Sequence, residues 1–70
     1  MEEELLIADG FDKAMLGITK DNIAVYSVDK AIQVLHDRDG MDYEEALEFL
    51  EFNIIHAYVG ENTPIWVYTN

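Results

Sequence analysis

Seventy residues carry fifteen acidic and four basic side chains, for a net charge of −11, with half of the positions apolar and no cysteine. A chain this short forms one domain and buries only about 60% of its unfolded surface. Without cysteine it has neither a disulfide framework nor a thiolate zinc cluster to staple it, so self-association is the expected support for a marginal core. The acidic excess works against gripping a phosphate backbone, which needs Lys and Arg, and repels anionic lipid headgroups. Neither nucleic acid nor membrane is therefore an expected partner.

The apolar half of the sequence is patterned, which favours folding over disorder despite the charge. Met1 is followed by Glu2, Glu3 and Glu4 instead of the basic start of a signal peptide, and no apolar run approaches about 20 residues. One domain over residues 1–70 is expected, with residues 1–8 an acidic arm or edge segment. Asp9-Gly10 reads as a turn. Residues 14–18 read as a strand, because Gly17 argues against helix and a hairpin partner follows closely. Thr19 to Asn22 supply the turn and residues 23–26 (IAVY) the second strand.

Ser27 is placed as the N-cap of a helix whose Val28, Ala31, Ile32 and Leu35 recur at i, i+3, i+4 and i+7. Gly40 is the left-handed stop. Asp42 and Glu45 have capping-box spacing, with Met41 positioned to staple on Ala46, and open a second helix expected to run toward Gly60. At about 100° per residue, Tyr43, Ala46, Leu47, Leu50, Ile54 and Ala57 share its core face. Glu44, Glu48 and Glu51 lie opposite, and Phe49, Phe52 and Ile55 fall among or beside these acids. That second apolar patch needs a cover, either the N-terminal arm or a second copy of the chain. Residues 65–68 (IWVY) are the clearest strand by composition. The expected fold is α+β, a small, mostly antiparallel three-stranded sheet on an αα-hairpin, in the order β-β-α-α-β.

Few residues point to chemistry. DRDGMDYEE imitates a calcium loop, but with Gly40 at its sixth position the first and twelfth ligands fall on Leu35 and Ala46. A helix stop followed by a helix start explains the same residues. His36 and His56 have no metal-binding spacing, Ser27 is occupied as a cap, and carboxylates are too abundant for any pair to be informative. The expectation is no enzyme, no metal and no cofactor. A row of acids stands out instead: Glu44, Glu48 and Glu51 repeat at roughly 4.5 to 6 Å along the helix axis, and Asp37, Asp39 and Asp42 extend the field at the hairpin tip. Duplex phosphates recur about every 3.4 Å along a strand, so such a row can compete for a basic groove.

Three blocks, DGFDKAMLGI (9–18), AVYSVDKAIQVL (24–35) and RDGMDYEEALEFLEFN followed by AYVGENTPIWV (38–67), resemble a family of short, uncharacterised tailed-phage proteins. The resemblance spans nearly the whole chain and brings no mechanism with it. It implies a phage-encoded protein acting in the cytoplasm of a bacterial host. Asp9, Asp12, Asn53, Tyr58, Glu61 and Thr63 match the family's polar and turn positions, as structural turns or as the lining of a shared pocket. Three functions are open on these grounds. The first is a non-enzymatic accessory protein that binds a host protein, as an acidic DNA-mimic-like inhibitor. The second is a homo-oligomer that sequesters a small ligand, such as a nucleotide signal, in a pocket built near Asn53, His56 and Tyr58. The third is a virion or assembly component held through Phe49, Phe52 and Ile55.

Overall fold

The computed structural model describes residues 5–55 and 60–69. A short arm leads into a turn in which the Phe11 N–H bonds to the Ala8 carbonyl (3.1 Å) and Gly10 takes φ +89°. A single 3-10 turn, Asp12–Ala14, follows and delivers β1 (Met15–Ile18). Ala14 closes that turn and is fully buried, so β1 starts one residue later than its composition suggests. The hairpin turn is held by the Thr19 hydroxyl, which accepts the N–H groups of Asp21 and Ile23, and by Asn22 at φ +67°. Asparagine tolerates that left-handed geometry better than most residues.

β2 (Ala24–Ser27) is the central strand, with β1 antiparallel on one side and β3 (Ile65–Val67) parallel on the other. The chain is thus the expected α+β fold in the expected order, with a mixed sheet. The parallel pairing is possible because two helices, not a tight turn, connect β2 to β3.

α1 (Val28–Asp39) is capped by Ser27, whose hydroxyl accepts the Lys30 N–H at 3.1 Å, and ends at Gly40 with φ +72°. Its Val28, Ala31, Ile32 and Leu35 are buried, which is the face that the helical spacing selects. At its other end the His36 Nδ1–H donates to the Met41 carbonyl (2.9 Å), which gives that imidazole a structural role. The Ser27 hydroxyl also pairs with Thr69 at 2.6 Å, and Thr69 donates to Asp29 (3.4 Å). With one hydrogen per hydroxyl, the order is Lys30 N–H to Ser27 to Thr69 to Asp29. The segment after β3 is tied to the start of α1 in this way.

α2 (Tyr43–Leu50) opens with a complete Asp42–Glu45 capping box. Ala46 and Leu50 are buried and Leu47 packs at the core margin. Tyr43 does not join them: it is 59% exposed and lies against the outer shoulder of α1, beside Asp29, Ile32, Gln33 and His36. Helical phase places it on the core side, but a residue in the first turn lies at the margin of the helix–helix contact. The α-helix also ends well before Gly60. It passes at Glu51 into a wider π turn, Glu51–Ile55, and residues 56–59 lie outside the described ones. Gly60 (φ +129°) starts a turn, its carbonyl accepting both the N–H and the hydroxyl of Thr63 (3.2 and 2.6 Å).

The core gathers around an aromatic stack. Tyr26, fully buried, stacks on Trp66 of the neighbouring strand (centroids 4.8 Å, 20°), and Phe11 meets Trp66 edge-on (5.9 Å, 86°). The Tyr26 hydroxyl is not left unpaired, because the Ala8 N–H donates to it at 2.8 Å. Tyr26→Phe keeps the stack and leaves that N–H without an acceptor, so a loss of about 1 to 2 kcal/mol is expected in urea unfolding. Trp66→Ala removes the stack and is expected to cost about 3 kcal/mol or more. Equal losses would show that the stack is not the larger contribution.

Candidate functional site

The acidic residues divide by what holds them. Asp42 belongs to the capping box, Asp37 accepts the Gln33 amide (3.0 Å), and Asp39 is bound by Arg38 (3.1 Å). Arg38 also donates to the Gly10 carbonyl (3.3 Å) and lies 5.6 Å from the Phe11 ring centre, so its charge is spent on locking the first turn to α1. Glu51 accepts the Tyr68 hydroxyl at 3.3 Å. Glu44 and Glu48 are exposed and have no partner among the described residues. The hairpin-tip acids therefore serve local structure first, and the exposed negative field is concentrated on α2.

A shallow groove of about 550 Å³ runs along α2 and the π turn, lined by Met41, Glu45, Glu48, Phe49, Glu51, Phe52 and Asn53. Phe52 stands in it 91% exposed, and Phe49 is 36% exposed. Ile55, expected beside Phe52, does not share this position. The π turn changes the helical phase after Leu50, and both Ile54 and Ile55 pack against the protein's own core. The Asn53 side-chain amide donates to the Phe49 carbonyl (3.2 Å) across this change of winding. The patch that needs a cover is thus Phe49 and Phe52, ringed by Glu45, Glu48 and Glu51.

A second concavity, about 180 Å³, lies on the other side of Asn53. Ile7, Ala8 and Asp9 of the arm form one wall, Phe11 and Trp66 the floor, and Asn53, Ile54, Thr63 and Pro64 the rest. Three of the polar positions singled out in the sequence, Asp9, Asn53 and Thr63, meet here. Asp12 sits in the 3-10 turn and Glu61 in the exposed turn before β3. Of the pocket expected from Asn53, His56 and Tyr58, Asn53 borders both concavities, while His56 and Tyr58 lie outside the described residues. Sequence reasoning missed the crevice because its walls come from four separate segments. The one available signal was an acid-bearing turn, Asp9-Gly10, preceding a buried aromatic.

Among the described residues no group of three His, Asp or Glu side chains is placed to hold a metal ion, and no helix is long and apolar enough to cross a membrane. Comparison of the chain with protein-family models, with curated proteins and with solved structures returns no match.

The Tyr68 phenol has its pKa raised from the ordinary value of 10.0, first by loss of solvation, then by the Glu51 charge and the hydrogen bond to it. A raised folded-state pKa means the folded protein holds the proton more tightly. The associated stability is present below the unfolded value and is lost as pH rises through the folded one. The tyrosinate absorbance titration of the protein, less that of Tyr68→Phe, is expected to show a phenol titrating above 10.0. Glu51→Gln is expected to move that titration downward without abolishing the shift. An unchanged titration would remove Glu51 as a cause.

Proposed function

We propose that this chain is a non-enzymatic protein-binding module, a phage-type accessory protein that docks its α2 face on a basic surface of a host protein and competes there with nucleic acid. The observation that carries this reading is Phe52, 91% exposed at the centre of a groove rimmed by Glu45, Glu48 and Glu51. Burying a phenylalanine side chain is worth about 1.5 to 3 kcal/mol, so a bare one on the π turn that follows α2 is a ready anchor. The glutamates around it select the partner. A second copy would bring the same acids against them, whereas a surface rimmed by Lys and Arg would pair with each one and draw the proteins together at long range.

Alternative occupants of the same face fit less well. A nucleotide brings phosphate to three glutamates, and drug-sized ligands use enclosed pockets of about 300 to 1,000 Å³, whereas this groove is open and acidic. A second copy at this face would have to overcome repulsion between like charges.

The test uses wild-type protein, Phe52→Ala, and a variant with Glu45, Glu48 and Glu51 changed to Gln. Because Phe52 is exposed, Phe52→Ala is expected to leave unfolding within about 0.5 kcal/mol of wild type. Affinity capture from bacterial lysate is expected to retain specific host proteins at low salt, to release them to added duplex DNA, and to fail with either variant. Capture that ignores salt and DNA would overturn the competition with nucleic acid. Capture unaffected by Phe52→Ala would overturn the anchor.

A further inference from the structure

We infer that the free edge of β1 is the surface through which two copies of this chain pair, antiparallel, about a two-fold axis at Gly17. This goes beyond the docking of α2 and uses a different face of the molecule. Among the described residues β1 has β2 as its one strand neighbour, because it lies at the end of the sheet order β1-β2-β3. The ladder tells which of its groups face outward. The Thr19 N–H turns inward to the Ile23 carbonyl (2.8 Å), so the Ile18 carbonyl of the same trans peptide points outward. Alternation along the antiparallel ladder then makes Gly17–Val25 the next hydrogen-bonded pair. Gly17 therefore directs both its groups to β2, and the flanking Leu16 carbonyl and Ile18 N–H face outward.

Two copies laid antiparallel with Gly17 opposite Gly17 bring each Ile18 N–H to the other copy's Leu16 carbonyl. The same register sets Leu16 against Ile18, side chains that are 47% and 51% exposed in the single chain. It also gives Gly17 a reason to be glycine. Its φ is not positive, and a methyl group there would meet nothing within 4 Å, so nothing within the chain calls for that residue. A glycine inside a strand often marks the close approach of another backbone.

Charge selects the occupant. Two of the three lysines, Lys13 and Lys20, bracket this strand, and an aspartate lies just outside each, Asp12 and Asp21. All four are exposed, and none is in an ion pair among the described residues. In the Gly17 register each Lys13 faces the second copy's Asp21, an attractive cross-strand pair formed twice by symmetry. The neighbouring register, with Leu16 opposite Gly17, would set Lys13 against Lys20 and Asp12 against Asp21, and would oppose outward groups to inward ones. β3, at the other edge, has no such complement. Pro64, which lacks an N–H, precedes it, and Glu61 is the one charged residue from 61 to 70.

Sedimentation equilibrium of the full chain over a range of concentrations is expected to show a monomer–dimer equilibrium. Ile18→Pro removes the outward N–H and no ladder bond of the chain itself, and is expected to leave a monomer. Lys13→Asp and Asp21→Lys, both at exposed positions, are each expected to weaken the dimer about tenfold by opposing like charges twice. The double variant Lys13→Asp/Asp21→Lys restores opposite charges and is expected to regain wild-type association. Asp21→Lys lowers the net negative charge, so weakening by it separates this pairing from general repulsion. The charge variants leave the strand backbone untouched, so they decide the question if proline unfolds the hairpin. A chain monomeric at every concentration, a dimer that survives a folded Ile18→Pro, or charge swaps without loss and rescue would each overturn the pairing. So would a dimer dissolved by Phe52→Ala, which would place the contact on α2. Absence of the dimer with intact Phe52-dependent capture leaves the docking reading standing.

Discussion

The buried stack of Tyr26 on Trp66 is the contact through which distant parts of the chain are joined. Tyr26 lies on the central strand, Trp66 on the strand added forty residues later, and the Tyr26 hydroxyl holds the arm through the Ala8 N–H. Phe11 presses on the edge of Trp66 and carries Arg38 above it. Take away this cluster and β3, the arm and the first turn lose their common seat, while the two local hairpins keep most of their own contacts. A seventy-residue domain has few such contacts to spare. That explains why its lone arginine is committed to clamping a turn, leaving three lysines as the remaining basic side chains.

The division of labour among the acids follows from the same economy of parts. Asp37, Asp39 and Asp42 satisfy helix ends and neighbouring side chains. Glu45, which also closes the capping box, Glu48 and Glu51 stand around an exposed aromatic. Charge beside an uncovered phenylalanine also protects against indiscriminate sticking, because any apolar surface approaching Phe52 must first tolerate the carboxylates. A basic surface would meet those carboxylates favourably, and an acidic or apolar one unfavourably.

Local signals in the sequence were sufficient wherever the structure is governed by local chemistry. Ser27, Gly40 and the Asp42–Glu45 pair mark helix ends by hydrogen bonding within a few residues, and the buried face of α1 follows from 3.6-residue periodicity. The strand order β-β-α-α-β was legible from composition and turn residues. Ile55 was misplaced because helical phase was carried past the point where the helix changes winding, and Tyr43 because a first-turn residue lies at the margin of the helix–helix contact. The π turn at Glu51–Ile55 separates Ile55 from Phe52 and sends it to the core, and no residue between Leu50 and Ile55 announces that change. The crevice was illegible for a different reason: the arm, the π turn, the turn after Gly60 and β3 must all be in place before Asp9, Asn53 and Trp66 are neighbours.

The parallel joining of β3 to β2 also fixes an order in time. The β1–β2 hairpin and the αα-hairpin close short loops, whereas β3 must return across both helices before it can pair, and closing that longer loop carries the larger entropy. During synthesis the central strand therefore keeps one side open, with Tyr26 lacking its ring partner, until Trp66 has left the ribosome. Until β3 pairs, that edge of β2 is bare, and the speed with which the short strand arrives governs how long the edge is available to other chains.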